Sequence, residues 1–228
     1  MQLRGLRRPF LAGETACPTN VVLLPIGLSH FLGRGRVEMY KLQGQAWLDL
    51  FIANGAVTSM ESQRGTPYPF RQRNLLLHNE GGRFRDTATH AGPAFRLNEV
   101  GRGAAFGDID NDGRVDIVVG TNNGPARVLL HRTAGAGHWL EVRLQGVRCN
   151  RDGIAARVAA VAGGKALWRR VHTDGSYLSA SDPRVHFGLG ANTEAQVWVD
   201  WPDGLRETWS GVHADSIITL SQGSGKPR

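Results

Sequence analysis

The feature that most constrains the fold is an acidic stretch at residues 108–116, where aspartates alternate with other residues. Its residues are Asp108-Ile109-Asp110-Asn111-Asp112-Gly113-Arg114-Val115-Asp116. Calcium takes about six to eight oxygen ligands, and carboxylates at alternate positions of a tight loop can surround one ion. The predicted ligands are the side chains of Asp108, Asp110, Asp112 and Asp116 and the main-chain carbonyl of Arg114, while Gly113 permits the bend. We expect Ca2+ rather than magnesium, which retains more of its water.

An EF-hand shares the beginning of this pattern, but it needs a bidentate Glu at its twelfth position and helices on both sides. The twelfth position here is Val119, and both flanks of the loop are typical of β-strands. The simpler alternative is a solvated acidic turn without a metal. That alternative leaves the four carboxylates to repel one another. We therefore favour a calcium site between two strands.

Short apolar runs separated by turn-forming residues indicate an all-β protein. No clear period is found in residues 1–45. Beyond them, the predicted strands are 47–54, 74–79, 83–87, 103–107, 115–120, 127–131, 138–144, 154–161, 166–172, 196–201, 207–209 and 216–220. Gly163-Gly164 and Pro202-Asp203-Gly204 are hairpin turns by composition. The close spacing of the later strands predicts a sandwich or barrel.

Two internal similarities suggest a repeated strand–turn–strand unit. Residues 48–52 resemble residues 115–119, which follow 67 positions later, and residues 75–78 resemble residues 128–131. Repeats of this kind are typical of propeller blades. At the same offset, the counterparts of the first three loop aspartates are Lys41, Gln43 and Gln45. The first copy is therefore predicted to lack the metal site.

The chain resembles two known families. Phe106-Gly107 before the acidic loop and Asn123-Gly124-Pro125 after it are similar to an FG-GAP repeat, as in integrin-type propellers and VCBS repeats. The stretches 150–154, 175–179, 186–190 and 201–204 resemble the ASPIC/UnbV domain. The first resemblance implies that the acidic loop binds calcium through the five residues named above. In the second, Ala155 stands where the family usually has Gly, which affects local backbone geometry.

These resemblances imply an all-β chain with a partial β-propeller segment followed by a β-sandwich-like ASPIC/UnbV domain. The expected divisions are an irregular or mis-started segment 1–45, an FG-GAP/VCBS segment 46–132, an ASPIC/UnbV domain 138–222 and a tail 223–228. The whole resembles the C-terminal end of the cartilage acidic protein-like family, so we expect an N-terminally truncated member. Propellers close with about four to eight blades. An unclosed propeller face, carrying Ile52, Leu76, Val118 and Leu129, would then favour self-association.

Several function classes are disfavoured by composition. The net charge is +7, but the basic residues are scattered and accompany no nucleic-acid-binding module, so no nucleic acid partner is expected. The longest uncharged run, residues 15–33, is interrupted by prolines, and we expect neither a membrane span nor a convincing signal peptide. Ser176, Ser179 and Ser181 lack a Gly-x-Ser-x-Gly frame, so no catalytic residue is assigned.

The sequence therefore favours a calcium-binding module for binding or adhesion, located outside the cytoplasm in an extracellular or periplasmic space. Its ligand is expected to be a protein or a carbohydrate. Trp198 or Trp209 could stack on a sugar, although such residues more often lie in a core or an interface. The alternative is an accessory protein or cryptic enzyme of a biosynthetic or degradative pathway.

Overall fold

The computed structural model describes residues 20–23, 49–56, 69–80, 82–132 and 137–228. These residues form β-strands joined by turns, with two short 3-10 turns at Ala88–His90 and Pro93–Arg96 and no α-helix among them. The predicted all-β class is confirmed. Among the described residues, no helix has the length and apolar character needed to cross a membrane.

A four-stranded antiparallel sheet comes first along the chain, and consecutive strands are neighbours in it. Its strands are β1 (Asn20–Leu23), β2 (Leu50–Ala53), β3 (Leu75–Asn79) and β4 (Phe84–Asp86). Four antiparallel strands in this order are typical of a propeller blade. Strand β1 lies in the segment 1–45, for which the sequence predicts no strand. The rest of that segment lies outside the described residues.

A three-stranded sheet follows, with the order β5 (Gly101–Gly107), β6 (Asp116–Thr121) and β7 (Arg127–Leu129). The acidic loop connects β5 to β6, which places it between two strands as predicted. Both sheets contribute to one buried cluster that includes Phe51, Leu76, Ile117 and Leu129. Leu76 and Leu129, predicted to line an open propeller face, therefore lie in a core shared by the two sheets.

The two sheets show the predicted repeat, but with a shift of one residue. The β2 side chains in the shared core are Phe51 and Ala53, and those of β6 are Ile117 and Val119. These core positions are 66 residues apart, not the 67 of the sequence similarity. A shift of one residue moves every side chain of a strand to the opposite face of the sheet. The two strands are therefore aligned by their buried side chains, which pairs Phe51 with Ile117.

The C-terminal part is a sandwich of two sheets. One has the order β10-β9-β12-β13-β15, and the other has the order β11-β8-β14, in which β14 runs parallel to β8. The strands are β8 (His138–Gln145), β9 (Arg157–Ala162), β10 (Lys165–Arg170), β11 (Val185–Gly190), β12 (Glu194–Asp200), β13 (Arg206–His213), β14 (Ser216–Ser221) and β15 (Lys226–Pro227). Leu140 and Val142 of one sheet share a core with Val158 and Val197 of the other. The predicted sandwich-like domain is confirmed.

The turns of this domain follow the predicted chemistry, whereas two strands are additions. Gly163 and Gly164 join β9 to β10 with φ of 54° and 75°, values that glycine adopts without strain. Strand β11 is absent from the predicted strands. Strand β15 lies within the predicted tail 223–228, where Lys226 pairs with Thr208 of β13. Two residues are too few for a sequence pattern to indicate a strand.

Candidate calcium site and its contacts with the C-terminal domain

The acidic loop is held closed by hydrogen bonds to its first and last aspartates, which are both buried. The backbone N–H groups of Asp112 and Gly113 donate to the Asp108 carboxylate over 3.0 and 2.7 Å. Those of Ile109 and His131 donate to Asp116 over 3.0 and 2.7 Å. The two carboxylates therefore organise the loop backbone as well as offering oxygens to a ligand.

Three of the predicted ligand side chains come together. One carboxylate oxygen from each of Asp108, Asp110 and Asp116 lies within 4.8 Å of the other two. The fourth, Asp112, is outside this group and accepts hydrogen bonds from the Arg114 side chain and from Arg132. Arg132 also pairs with Asp110 over 2.7 Å.

The electrostatic state of the loop follows from burial. Burial raises the pKa of Asp108, although hydrogen bonds from Gly113 and Asp112 oppose the shift. Burial likewise raises the pKa of Asp116, against hydrogen bonds from His131 and Ile109. A raised pKa means that the folded protein disfavours the ionised form of the carboxyl group. A bound cation would oppose that effect, because it favours the charged carboxylates.

The donor set fits a hard cation. All side-chain donors in the group of three are carboxylate oxygens, which calcium and magnesium prefer over nitrogen and sulfur. Gly113 has φ of 81°, so the sharp bend predicted at this position is present. Asp108, Asp110 and Asp116 would hold the ion, and the roles of Asp112 and the Arg114 carbonyl stay predictions. No histidine in the described part of the chain belongs to this group.

Arg184 of the C-terminal domain binds the outside of the loop. It donates to the carbonyl oxygen of Asp108 over 2.6 Å and to the Asn111 side chain over 2.7 Å. The same guanidinium pairs with Asp182 over 2.6 Å and with the buried carboxylate of Glu141 over 2.9 Å. One side chain thus connects the acidic loop to two carboxylates of the neighbouring domain.

His186 and Trp139 contact the loop at its glycine. The His186 Nε2 atom lies 2.8 Å from the Gly113 carbonyl oxygen, so this nitrogen carries the proton and donates. Burial lowers the pKa of His186 to about 4, which keeps the ring neutral. The Trp139 ring stacks on His186 and covers Gly113 so closely that a Cβ there would lie 2.0 Å from Trp139 Cε2. Glycine is therefore needed at 113 for two independent reasons, the positive φ of 81° and the overlap of any Cβ with the Trp139 ring.

A second contact between the domains runs along the edge of β5. Ala104 N and Phe106 N donate to the hydroxyl oxygens of Ser176 and Ser181 over 3.0 and 3.2 Å. Asp182 N donates to the Phe106 carbonyl over 2.8 Å. Gly103 permits this approach, because a Cβ there would lie 2.1 Å from the Tyr177 carbonyl oxygen. Two of the three serines considered for a hydrolase site thus hydrogen-bond to β5.

A small cavity lies where these contacts meet. Its volume is about 110 Å³, and Glu141, Arg169 and His186 are among its lining residues. Burial raises the pKa of Glu141 to about 7, and the nearby Arg184 only partly opposes this shift. Pockets for organic ligands are usually about 300–1,000 Å³. The cavity therefore has room for a few waters or a small ion but not for a sugar.

The sequence identified the loop but not the residues that brace it. Arg184, His186, Trp139 and Glu141 lie in a different domain from the loop, and no local spacing connects them to it. A weak signal existed for His186, because it begins the stretch 186–190 that resembles the ASPIC/UnbV domain. No signal pointed to Arg184, one of many scattered arginines.

Comparisons with family models agree with the two parts of the chain. Residues 42–119 match the FG-GAP-like repeat, and residues 146–227 match the ASPIC and UnbV domain. The first match contains the whole acidic loop, and the second contains the bracing residues Arg184 and His186. The predicted recognition of these two modules, in this order, is confirmed.

Curated relatives match parts of the chain. Cartilage acidic protein 1 of Mus musculus is 48% identical over 62 residues, which is 27% of this chain and 9% of the mouse protein. The Homo sapiens protein is 48% identical over 58 residues, or 25% and 9%. The Xenopus tropicalis protein is 32% identical over 110 residues, or 48% and 14%. The matched segments thus cover a small part of each relative's length.

Proposed function

Because the chain joins an FG-GAP-like repeat to an ASPIC and UnbV domain, we propose that it is a calcium-stabilised extracellular module for binding or adhesion. The observation that carries the calcium part is the group of Asp108, Asp110 and Asp116, whose carboxylate oxygens lie within 4.8 Å of one another. Two of these aspartates are almost fully buried. Carboxylates this close repel one another, and a bound cation would remove that repulsion.

In this proposal the ion is structural. Asp108, Asp110 and Asp116 would hold the ion and order the loop, whose Asp108 and Gly113 carbonyl groups accept hydrogen bonds from Arg184 and His186. The order of the loop is thereby linked to the order of the domain interface. The ion supplies charge neutralisation and oxygen coordination, and these residues supply the positions of the loop and the neighbouring sheet.

The extracellular location and the binding role rest on the relatives. Their name, cartilage acidic protein 1, associates them with cartilage, a tissue rich in extracellular matrix, and the FG-GAP-like repeat is generally an interaction module. The chain matches only a small part of their length, so both statements are proposals for this chain. The hydroxyl groups of Ser176 and Ser181 accept hydrogen bonds from β5, so the alternative of a cryptic serine enzyme gains no support from them.

Calorimetric titration of the full chain with calcium tests the metal site. We expect one site per chain, and we expect Asp110→Asn to weaken calcium binding about tenfold or more because it removes one ligand charge. The matched control is Asp152→Asn, which removes one exposed carboxylate far from the loop in the sequence. Absence of calcium binding, or equal weakening by both variants, would contradict the proposal.

A further inference from the structure

The outer face of the five-stranded sheet of the C-terminal domain carries two tryptophans in one row. The cross-strand register aligns Trp168, Ala159, Trp198, Thr208 and Lys226 across neighbouring strands. The centroids of the two indole rings lie 6.2 Å apart, and Ala159 between the two tryptophans is fully buried. Both indoles are only half-buried, so this part of the sheet is not covered by another element of the described chain.

Guanidinium groups lie on these indoles. Arg157 lies 4.6 Å above the Trp168 ring, and Arg228 lies 4.8 Å from the Trp198 ring. A guanidinium held flat on an indole gives up its face and keeps its N–H edges directed outward. Those edges match the two oxygens of a carboxylate or a sulfate.

The charge on this face is strongly positive. We call it the Trp–Arg face and define it as Trp168, Trp198, Arg157, Arg170, Arg206, Lys226 and Arg228. Four of its five cationic residues are exposed, and the side chain of the fifth, Arg228, is 27% exposed. The nearby carboxylate is that of Asp200, which pairs with Arg206 over 3.8 Å and also with Arg228. Positive charge therefore exceeds negative charge on this surface, and a negatively charged partner is complementary to it.

The arrangement favours an acidic polysaccharide over a nucleic acid. Proteins that bind single-stranded nucleic acid stack bases on open aromatic rings. Here Arg157 and Arg228 lie on the rings where bases would stack. A polysaccharide with sulfate or carboxylate groups needs only the outward N–H edges and a flat surface. The interface cavity of about 110 Å³ is too small for this ligand, so the face is the better candidate.

We infer that the Trp–Arg face binds an acidic polysaccharide, through contacts of its arginines with sulfate or carboxylate groups. The inference deepens the proposed binding role and rests on it, since it names the ligand class of an extracellular module. The indoles act by ordering the guanidiniums. Removal of an indole should therefore weaken binding although the net charge of the protein does not change.

The test is titration of the full chain, at constant free calcium, with heparin, polygalacturonate, dextran and a single-stranded oligothymidylate. We expect heparin or polygalacturonate to bind and dextran not to bind. Binding of heparin alone identifies sulfate as the recognised group, and binding of polygalacturonate alone identifies carboxylate. Failure of both acidic polysaccharides to bind, or tighter binding of the oligothymidylate, would overturn the inference.

Matched variants separate a built site from general attraction by a basic protein. We expect Arg157→Gln with Arg228→Gln to weaken binding about tenfold or more, since each lost charged contact contributes severalfold. The control pair Arg148→Gln with Arg151→Gln removes the same charge from exposed turn residues and should change affinity less than about twofold. Equal losses in the two pairs would overturn the inference.

A further variant, Trp168→Ala, tests the ordering role without a change of charge. Its affinity should fall about threefold or more, because Arg157 loses the ring that holds it. Thermal unfolding of each variant checks that the fold is intact, and the arginine pairs decide the question if Trp168→Ala unfolds. Calorimetry with calcium is a separate measurement. Binding of an acidic polysaccharide without binding of calcium would refute only the calcium proposal. Binding of calcium without binding of an acidic polysaccharide would refute only this inference.

Discussion

Replacement of Gly113 by alanine should destabilise the protein strongly, because two physical effects act at the same atom. Gly113 adopts φ of 81°, where an L-residue with a Cβ is strained. The added Cβ would also lie 2.0 Å from Trp139 Cε2, so the Trp139 ring has to move. That ring stacks on His186, which donates to the Gly113 carbonyl. The substitution therefore disturbs the loop and its contact with the C-terminal domain together.

The expected magnitude is the sum of the strain and the overlap. The left-handed conformation costs about 1–2 kcal/mol for a residue with a Cβ. Forcing an extra methyl group into a packed site costs about 1–3 kcal/mol. The reduced freedom of the unfolded chain returns about 0.4–1 kcal/mol. The free energy of unfolding should therefore fall by about 1–5 kcal/mol.

Urea unfolding of Gly113→Ala, measured with and without calcium, tests this reasoning. Gly164→Ala is the matched control, because Gly164 has a similar φ of 75° but nothing within 4 Å of its added Cβ. The control should show the strain alone, a loss of about 1 kcal/mol. Equal losses at the two positions would refute the claim that Trp139 packs against Gly113.

Three further predictions concern other parts of the chain. Ala155 has φ of 76°, so Ala155→Gly should raise the free energy of unfolding by about 1 kcal/mol in urea titrations, and a decrease would contradict the strain. Burial raises the pKa of Glu141 to about 7, above its unfolded value, so this group binds protons more tightly in the folded state. Its contribution should lower stability by up to about 3 kcal/mol as the pH rises from about 4 to about 7. Glu141→Gln should therefore make stability fall less steeply over this range, and an unchanged slope would refute the assignment. Residues 46–132 expressed alone should be unstable or self-associate, because β5 loses its hydrogen bonds to Ser176 and Ser181; a well-protected monomer by light scattering and hydrogen exchange would refute this.

Local sequence patterns were sufficient for most of the fold. Alternating apolar residues and Gly-rich turns predicted the strands around Gly163-Gly164 and the β-sandwich class, because the side-chain period of a strand is a local property. The family usually has Gly where this chain has Ala155, and the positive φ of Ala155 agrees with that preference. Strand β1 was not predicted, because residues 1–45 show no clear hydrophobic period.

The candidate site was predictable only in its local part. The spacing of Asp108, Asp110 and Asp116 indicated the cluster, because all three belong to one tight loop. Burial and partner choice are tertiary properties, and for this reason the pairing of Asp112 with Arg114 and Arg132 was not foreseen. The bracing of the loop by residues of the C-terminal domain follows from how the domains pack, which no spacing in the sequence encodes.

The most direct test of the account is thermal unfolding of the full chain with millimolar calcium and with a chelator. At about a hundredfold excess of calcium over its dissociation constant, binding to the folded state adds about 2.7 kcal/mol. For a chain of this size, that free energy raises the unfolding midpoint by about 5–10 °C. We expect such a rise for the protein and for Asp152→Asn, and a much smaller one for Asp110→Asn. Identical midpoints with calcium and with chelator would contradict it.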